Sequence, residues 1–416
     1  MNYYNIKNIL QGGNEVSVLE LLDKLDQIEI LYEPIYSADG HRIIAYEVIG
    51  QVESENDVIN IEKFTYEKDV PADIRAEIEQ LFVRRSLQAV TDLIDDFGLY
   101  IPCNPELLML DFGESYFSML KELVVESNLS NITLVMTEHK FDGEMNQLQH
   151  LIRYIKTYGI KIAFAEVGSQ TQLENILLLE PSILKLNVGQ LNYNLWGAQN
   201  HAFSTIRTLA VKMGTQLLIE NIETVYQLQH GWKNGARYYK GPYLQLPQKE
   251  LHARDSLKER FRNECEQFIA TEKKQLLQKY DEMKRLERVI CTVVEQLNPT
   301  GTQYEKLLEL AKALEDCTFR LYICDNNGFQ TSPNIRWNDG EWEMHKETIG
   351  KNWSWRPYFL LNIIKMTKDL KGELSSVYSD IETGELTRTY SMAIANEEFL
   401  FIDIKYDYLY EHNIVN

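Results

Sequence analysis

The sequence predicts an α/β protein in which a β/α barrel is followed by a long linker helix and a smaller α+β domain. Three observations lead to this fold class. Short apolar runs alternate with amphipathic stretches from Ile28 to Pro247. Next comes a segment that is rich in Glu, Lys, Arg and Leu and contains no Gly or Pro. One helical segment then precedes several strand-like runs. Repeated strand–helix alternation is typical of a parallel sheet, and this many repeats favour a closed barrel.

The elements of the barrel follow from hydrophobic periodicity. Strands are predicted at 28–37, 41–52, 98–104, 131–138, 160–168, 181–189 and 215–222. Helices are predicted at 71–97, 143–159, 201–214 and 224–235, and another opens at Pro105. The first two strands flank the turn "ADG", and helices or loops separate the others.

Four segments are predicted along the chain: an N-terminal helical extension at 1–27, the barrel at 28–250, the linker helix at 251–300 and the C-terminal domain at 301–416. In the linker, apolar residues recur every three or four positions, as in a coiled-coil seam. This seam comprises Leu276, Tyr280, Met283, Leu286, Ile290, Val293 and Leu297. Two interpretations are open: the helix lies on its own domains, or it pairs with its counterpart in a homodimer.

The C-terminal domain is predicted as one helix at 304–316 followed by mainly antiparallel strands. The strands are expected at 319–325, 372–380, 387–395 and 399–406. The aromatic run "NWSWRPYF" is more typical of a core than of a ligand site, although its Arg356 could touch a ligand. The residues Asp380, Glu382 and Thr383 are expected to form a hairpin turn.

The composition limits the classes of partner. A formal net charge of −20 argues against a protein that wraps nucleic acid, including DNA, without sequence preference, because that function needs a basic face. The five cysteines form no CxxC pair, and their odd number favours reduced thiols in a cytoplasmic protein. No run of about 18 apolar residues occurs, so no membrane insertion is expected.

Several dispersed segments occur in an order that resembles the EAL-domain family, whose active members hydrolyse cyclic di-GMP. The segments are "EPI", "YEVIGQ", "IPCNPELL", "VMTE", "AEVG", "ILKLN", "IENIE" and "KGPYLQLP". The resemblance implies an EAL-type, TIM-like β/α barrel. The later segments "NWSWRPYF" and "YSDIETGELTRTYS" are similar to the PAS- or Cache-like domain that follows the barrel in some EAL proteins.

In active members, acidic residues and one Asn at strand ends hold one or two divalent cations, and a metal-bound water attacks the phosphodiester. The resemblance places the remnants of this catalytic set at Glu47, Asn104, Glu138, Lys185, Glu220 and Glu223. The metal ligands among them are Glu47, Asn104 and Glu220, with Glu166 as a further candidate. Two other ligand positions carry Val135 and Ala165, which have no donor oxygen. We therefore expect no required cofactor and at most one weakly held Mg²⁺ or Mn²⁺.

Two retained residues also have less specific interpretations. Lys185 is either a relic of the catalytic lysine or the salt-bridge partner of a nearby Glu, and the missing metal ligands favour the salt bridge. Glu138 corresponds to a residue that steadies a loop over the site in the family.

Three positions that contact the nucleotide in the family are changed as well, to Glu33, Gln51 and Lys240. An arginine at position 51 would contact phosphate, and its loss forfeits a charged hydrogen bond of about 1.5–3 kcal/mol. Glu33 would repel an anion, and Lys240 would partly offset that repulsion. Cyclic di-GMP binding is therefore expected to be weakened.

The leading hypothesis is a cytoplasmic, dimeric signalling protein with a catalytically inactive EAL barrel. The barrel would bind cyclic di-GMP or a protein partner under the influence of a C-terminal sensor domain. One alternative is a weak phosphodiesterase that hydrolyses cyclic di-GMP to pGpG. Another is a scaffold that binds neither nucleotide nor metal. The retained acidic and lysine positions favour a ligand function, whereas the lost metal ligands and Gln51 favour the scaffold.

Overall fold

The fold contains a closed eight-stranded barrel. A computed structural model describes residues 21–53, 58–168, 170–188, 198–297, 300–356, 359–369, 371–395 and 397–415. Residues 1–20 of the predicted N-terminal extension lie outside these ranges. The strands of the first sheet are β1 (Glu29–Ser37), β2 (Ile43–Glu53), β3 (Val58–Asn60), β4 (Gly98–Pro102), β5 (Ile132–Met136), β6 (Lys161–Phe164), β7 (Ile183–Asn187), β8 (Gln216–Glu220) and β9 (Tyr238–Tyr239).

The order of the strands explains how the barrel closes. Around the barrel it runs β1-β9-β8-β7-β6-β5-β4-β2, and β2 pairs with β1 to complete the circle, while β3 pairs with β2 outside it. Strand β1 is antiparallel to both of its neighbours. The remaining neighbours in the barrel are parallel, so their carboxyl ends lie at one edge. In a β/α barrel this edge carries the functional site.

Helices follow most of the parallel strands. They are α1 (Ile61–Phe64), α2 (Ala72–Gln88), α3 (Pro105–Leu108), α4 (Glu114–Leu123), α5 (Met145–Thr157), α6 (Leu173–Leu179), α7 (Ala198–Met213) and α8 (Val225–Lys233). No helix was expected from the sequence between β6 and β7, where α6 lies. The seven residues of α6, "LENILLL", are too few to show a helical period clearly.

Strand β6 ends earlier than the sequence suggested. It stops at Phe164, although the backbone N–H of Ala165 still donates to the carbonyl of Met136 at 2.8 Å. Glu166 then adopts φ 54°, in the left-handed region. The regular strand therefore ends before Ala165, and the chain turns at Glu166.

The linker forms a single long helix, α9 (Lys258–Glu295). Near its start, Phe261 and Cys265 are buried in the barrel core. Near its end, Leu286 and Ile290 are buried in the core of the C-terminal domain. The chain divides into two compact units between residues 268 and 269, inside this helix. Neither α9 nor another helix of the described ranges has the length and apolar character needed to cross a membrane.

The predicted seam of α9 is divided between two environments. Leu286 and Ile290 are at most 1% exposed, and Met283, Val293 and Leu297 pack against the same core. Leu276 and Tyr280 are 60% and 58% exposed. The C-terminal part of the seam therefore lies on its own domain, as the first interpretation held, and only the N-terminal part remains available for pairing.

The described part of the C-terminal domain combines three helices with an antiparallel sheet. Its helices are α10 (Gln303–Ala313), α11 (Phe359–Asp369) and α12 (Tyr406–Glu411). Its strands are β10 (Thr318–Asp325), β11 (Asn334–Asn338), β12 (Glu341–His345), β13 (Glu373–Leu374), β14 (Tyr378–Ser379), β15 (Leu386–Ala395) and β16 (Glu398–Ile404). The sheet runs β12-β11-β10-β16-β15-β13, and β14 also pairs with β15. The β11–β12 hairpin, α11 and α12 were not predicted from the sequence, which indicated a single helix at 304–316.

Candidate functional site

Three glutamates and two lysines converge at the functional edge of the barrel, and we call them the ion cluster. Their side chains come from β1, β2, β7, the end of β8 and the residue after β9, in the order Glu33, Glu47, Lys185, Glu220 and Lys240. Each of the five is at most 9% exposed. Five charges at this depth are tolerated only if they neutralise one another.

Each lysine bridges carboxylates from different strands. Nζ of Lys185 lies 2.6 Å from Oε1 of Glu47 and 3.2 Å from Oε2 of Glu220. Nζ of Lys240 lies 2.7 Å from Oε2 of Glu33 and 3.0 Å from Oε2 of Glu47, and 3.7 Å from Oε2 of Glu220. The contact of Glu47 with Lys240 is an ion pair without good hydrogen-bond alignment. Glu47 thus lies between the two ammonium groups.

The backbone of Lys240 is clamped against the end of β8. Its N–H donates to the carbonyl of Ile219 at 2.9 Å, and the N–H of Ile222 donates to the carbonyl of Lys240 at 3.2 Å. Gly241 follows with φ 143°, and a Cβ there would lie 2.2 Å from the backbone nitrogen of Ile222. Only glycine permits this approach. The base of the Lys240 side chain is therefore fixed beside Glu220.

The pKa shifts agree with mutual neutralisation. Burial alone would raise the pKa of Glu47, but the charges of Lys185 and Lys240 outweigh burial and lower this pKa to about 2. Burial would lower the pKa of each lysine, and the neighbouring glutamates outweigh it, so that both pKa values lie above the ordinary one. These three groups therefore stay charged at neutral pH.

The residues present do not fit the metal site that the resemblance implies. Val135 and Ala165 are 2% and 6% exposed and pack with Ile35, Tyr100 and Leu218 inside the barrel. They offer no oxygen, and the carboxylates of the ion cluster already contact ammonium groups. Within the described ranges, no group of three or more His, Cys, Asp or Glu is arranged so that it could hold a metal ion.

Asn104 makes the contacts of a helix cap. Its Oδ1 accepts the N–H of Glu106 at 2.8 Å at the start of α3, and its Nδ2 donates to the carbonyl of Thr65 at 2.7 Å. Its backbone N–H donates to Oε1 of Glu79 at 2.6 Å. These bonds fix the loop after β4, and they leave the side chain of Asn104 outside the ion pairs of the cluster.

Glu138 and Glu166 lie on the loops above β5 and β6. Glu138 is 2% exposed, and its Oε1 accepts the N–H of Gln172 at 3.0 Å, which ties the loop before α6 to the end of β5. Glu166 instead points to Lys140, whose Nζ is 2.7 Å away, and to His139. Glu138 is thus placed to steady a loop, whereas Glu166 does not join the ion cluster.

Gln51 and Glu223 also lie outside the ion cluster. Nε2 of Gln51 donates to Oε2 of Glu29 at 2.6 Å, and Oε1 of the same Glu29 pairs with Lys249 at 2.6 Å. Glu223 is exposed, and its backbone N–H donates to Oε1 of Gln227 at 2.6 Å. The structure therefore brings together Glu47, Lys185, Glu220, Glu33 and Lys240 of the predicted site residues.

Sequence reasoning missed two acidic residues next to the site. Glu79 on α2 is 3% exposed, and burial raises its pKa to about 8. Glu62 on α1 is half-buried, and burial raises its pKa too, with the charge of Lys185 opposing the change. A signal for Glu79 was present: it lies on the apolar face of α2 with Ile78 and Phe82, where glutamate is rare.

The C-terminal domain contains a second buried ion cluster around Arg320. Its Nε lies 2.6 Å from Oδ2 of Asp403 and its Nη1 3.1 Å from Oε2 of Glu382, and Nη2 contacts Asp380. Oδ1 of Asp380 accepts the N–H groups of Glu382 and Thr383 at 3.0 Å each. The predicted hairpin turn between β14 and β15 is confirmed.

Comparison with known proteins assigns both units. The EAL domain matches residues 16–247, and the EAL-domain associated signalling protein domain matches residues 251–415. An uncharacterized EAL-domain containing protein of Bacillus subtilis (strain 168), YkuI, is 37% identical over 400 residues, which cover 95% of this chain and 98% of YkuI. The crystal structure of B. subtilis YkuI in complex with substrate c-di-GMP and calcium matches with a TM-score of 0.89 over 96% of this chain and 99% of that chain. The chain therefore belongs to the EAL-domain family and carries the EAL-domain associated signalling protein domain after the EAL domain.

Proposed function

We propose that this chain is a cytoplasmic signalling protein of the c-di-GMP network with a catalytically inactive EAL barrel. The barrel acts as a receptor or protein-interaction module under the influence of the C-terminal domain. One observation carries the proposal: ammonium groups of Lys185 and Lys240 lie among the carboxylates that would have to bind metal. A phosphodiester resists attack unless a metal neutralises it and activates water, so this site lacks the means of hydrolysis.

The relative YkuI supports nucleotide binding as the function to test first, because its structure contains c-di-GMP and calcium. The geometry of this chain supports weaker binding. Lys240, which occupies a nucleotide-contact position of the family, is engaged by Glu33 and Glu47. Gln51, which replaces the phosphate-binding arginine, is engaged by Glu29. A nucleotide phosphate would have to compete with these internal partners.

The quaternary structure and the metal requirement form part of the same proposal. We infer a homodimer that pairs through the exposed part of α9, where Leu276, Leu277 and Tyr280 are 58–63% exposed. We also infer that neither Mg²⁺ nor Mn²⁺ is required for folding or for binding, since the ion cluster supplies its own cations.

Calorimetric titration of the full chain with c-di-GMP tests this proposal, with and without Mn²⁺, alongside chromatography for pGpG. We expect weak binding that does not depend on Mn²⁺, and no pGpG. The double variant Gln51→Arg/Glu33→Gln adds a cation and releases Lys240, so it should tighten binding roughly tenfold or more. Glu53→Gln, exposed at the end of β2, is the matched control and should leave the affinity unchanged.

Two outcomes would favour the alternatives. Formation of pGpG in Mn²⁺ buffer that disappears in Glu47→Ala would establish a weak phosphodiesterase. Absence of binding in both the natural chain and the double variant would favour the scaffold, because the pocket would then lack the shape as well as the charges.

A further inference from the structure

The ion cluster differs from the family's metal site because an ammonium group lies among its carboxylates. We propose that the ammonium group of Lys240, held in place by Glu33, is the resident cation of this site and takes the place of a divalent metal ion. The inference rests on the same cluster as the proposed function, but it concerns cation binding in the absence of any nucleotide. It can therefore fail while the proposal on hydrolysis and binding stands, and the reverse is also possible.

The register of the sheet shows why a cation is needed between Glu33 and Glu47. In the antiparallel pairing of β1 with β2, these two glutamates are directly opposite each other. Like charges at such positions repel, and burial strengthens the repulsion because less water screens them. Lys240 contacts both carboxylates, at 2.7 and 3.0 Å. Its ammonium group thus turns a repulsive pair into a bridged one.

The contacts of Lys240 resemble those of a bridging cation. Its Nζ contacts oxygens of three glutamates from three different strands, β1, β2 and β8. An ammonium is a compact charge with three donors, and here it pairs with these oxygens at 2.7–3.7 Å. A divalent ion would need the oxygens to close in to about 2.0–2.6 Å, and its charge would be added beside two buried ammonium groups. The resident lysine therefore excludes it.

Glu33 and Lys240 depend on each other for charge balance. With both present, three carboxylates face two ammonium groups. Removing only the charge of Lys240 leaves Lys185 as the one cluster lysine for Glu33, Glu47 and Glu220, and creates a dense patch of oxygens. Removing both charges leaves Glu47 and Glu220 with Lys185, which restores the net charge of the natural cluster. The two residues therefore act as one unit, although neither is a metal ligand.

The decisive variant is Lys240→Gln, and the natural chain is the reference. Both proteins are studied in metal-free buffer and in titrations with Mn²⁺. Thermal unfolding measures their stability, and electron paramagnetic resonance of Mn²⁺ measures how much metal is bound. We expect no saturable Mn²⁺ response from the natural chain. Lys240→Gln should unfold at a lower temperature without metal and recover that temperature on addition of Mn²⁺. Its Mn²⁺ response should saturate at concentrations where the natural chain shows none. The matched control Lys249→Gln removes an exposed lysine that pairs with Glu29 at 2.6 Å and should gain no Mn²⁺ response.

A second variant makes the result specific. Glu33→Gln/Lys240→Gln removes the opposed charge pair and should lose most of the gained Mn²⁺ affinity while recovering metal-free stability. If Lys240→Gln does not fold in metal-free buffer, folding on addition of Mn²⁺ supports the inference and failure to fold contradicts it. Mn²⁺ binding by the natural chain that Glu47→Gln abolishes would also overturn it, as would a folded Lys240→Gln protein without any response.

Discussion

Two buried glutamates of the barrel show how neighbours decide the state of a carboxyl group. Glu47 faces the ammonium groups of Lys185 and Lys240, and its pKa falls to about 2. Glu79 is equally buried, but its Oε1 accepts a backbone N–H from Asn104, and burial raises its pKa to about 8. Glu47 is therefore ionised at neutral pH, whereas Glu79 is largely protonated. Two ammonium groups in direct contact outweigh desolvation at Glu47, but one backbone hydrogen bond and the charge of Arg75 do not outweigh it at Glu79.

The pH dependence of stability should reveal Glu79. An unfolded glutamate has a pKa near 4.5, so between pH 4.5 and 8 the unfolded chain loses a proton that the folded chain retains, and stability falls as the pH rises. Glu79→Gln keeps the acceptor for the Asn104 N–H and removes this titration. The free energy of unfolding of Glu79→Gln, relative to that of the natural chain, should therefore rise by roughly 2–4 kcal/mol from pH 5 to pH 8, since one pKa unit corresponds to about 1.4 kcal/mol.

Urea unfolding at both pH values provides the measurement. Glu77→Gln, exposed on the same helix, is the control and should run parallel to the natural chain. If Glu79→Gln also runs parallel, Glu79 is ionised in the folded protein and the interpretation is wrong.

At the scale of elements, α9 serves two cores. It contributes Phe261 to the barrel and Leu286 and Ile290 to the C-terminal domain, and the stretch between them carries exposed Leu276 and Tyr280. A strict heptad interpretation would treat all apolar positions of the helix alike. The packing separates them into positions that stabilise the fold and positions that are open to a second copy.

Substitutions on α9 should therefore have two different effects. Leu286→Ala leaves a cavity in the C-terminal core and should cost about 2–5 kcal/mol in the free energy of unfolding. Leu276→Glu should leave that free energy nearly unchanged. In light scattering, however, it should reduce the mass from about twice 48.6 kDa towards the monomer.

The control for this prediction is Gln278→Glu, which adds the same charge at an exposed position on the side of the helix away from Leu276 and Tyr280. A natural chain that is monomeric at tens of micromolar would reject pairing through α9 and leave the stability effect of Leu286 unaffected.

At the scale of the whole molecule, the chain contains two units with separate cores. The barrel core extends to Cys265, and the C-terminal core begins at Leu286. Each unit has its own buried charges: the ion cluster in the barrel and the Arg320 cluster in the C-terminal domain. Units with separate cores can unfold in separate steps.

Arg320→Met should accordingly affect one unit only. It leaves the carboxylates of Asp380 and Asp403, both at most 2% exposed, without their buried partner, which should cost about 3–5 kcal/mol. Calorimetry of the full chain should show two unfolding transitions. In Arg320→Met, one of them should occur at a lower temperature than in the natural chain. The control Arg336→Met removes a half-buried contact with Glu382 at 3.4 Å and should change the temperature of neither transition by much. A single transition that moves as a whole would contradict independent units.

The sequence alone determined the fold class, the family and the loss of chemistry at two positions. Alternating strands and helices predict a barrel whatever the details of packing, because an amphipathic helix and an apolar strand each need a partner surface. Val135 and Ala165 exclude metal ligation without any structure, since a side chain without oxygen cannot bind a hard cation. The short helix α6 escaped prediction because its few residues show no clear period.

Only the tertiary structure decided what replaced the metal. Lys240 is separated from Glu33 by 207 residues in the chain, and Lys185 from Glu47 by 138. These residues meet because β1 closes the barrel between β2 and β9, and no local pattern records that closure. Sequence reasoning treated Glu33 as a repulsive anion and Lys240 as a cation available to phosphate. The structure shows them paired, because two buried charges of opposite sign at one edge of a sheet neutralise each other before any ligand arrives.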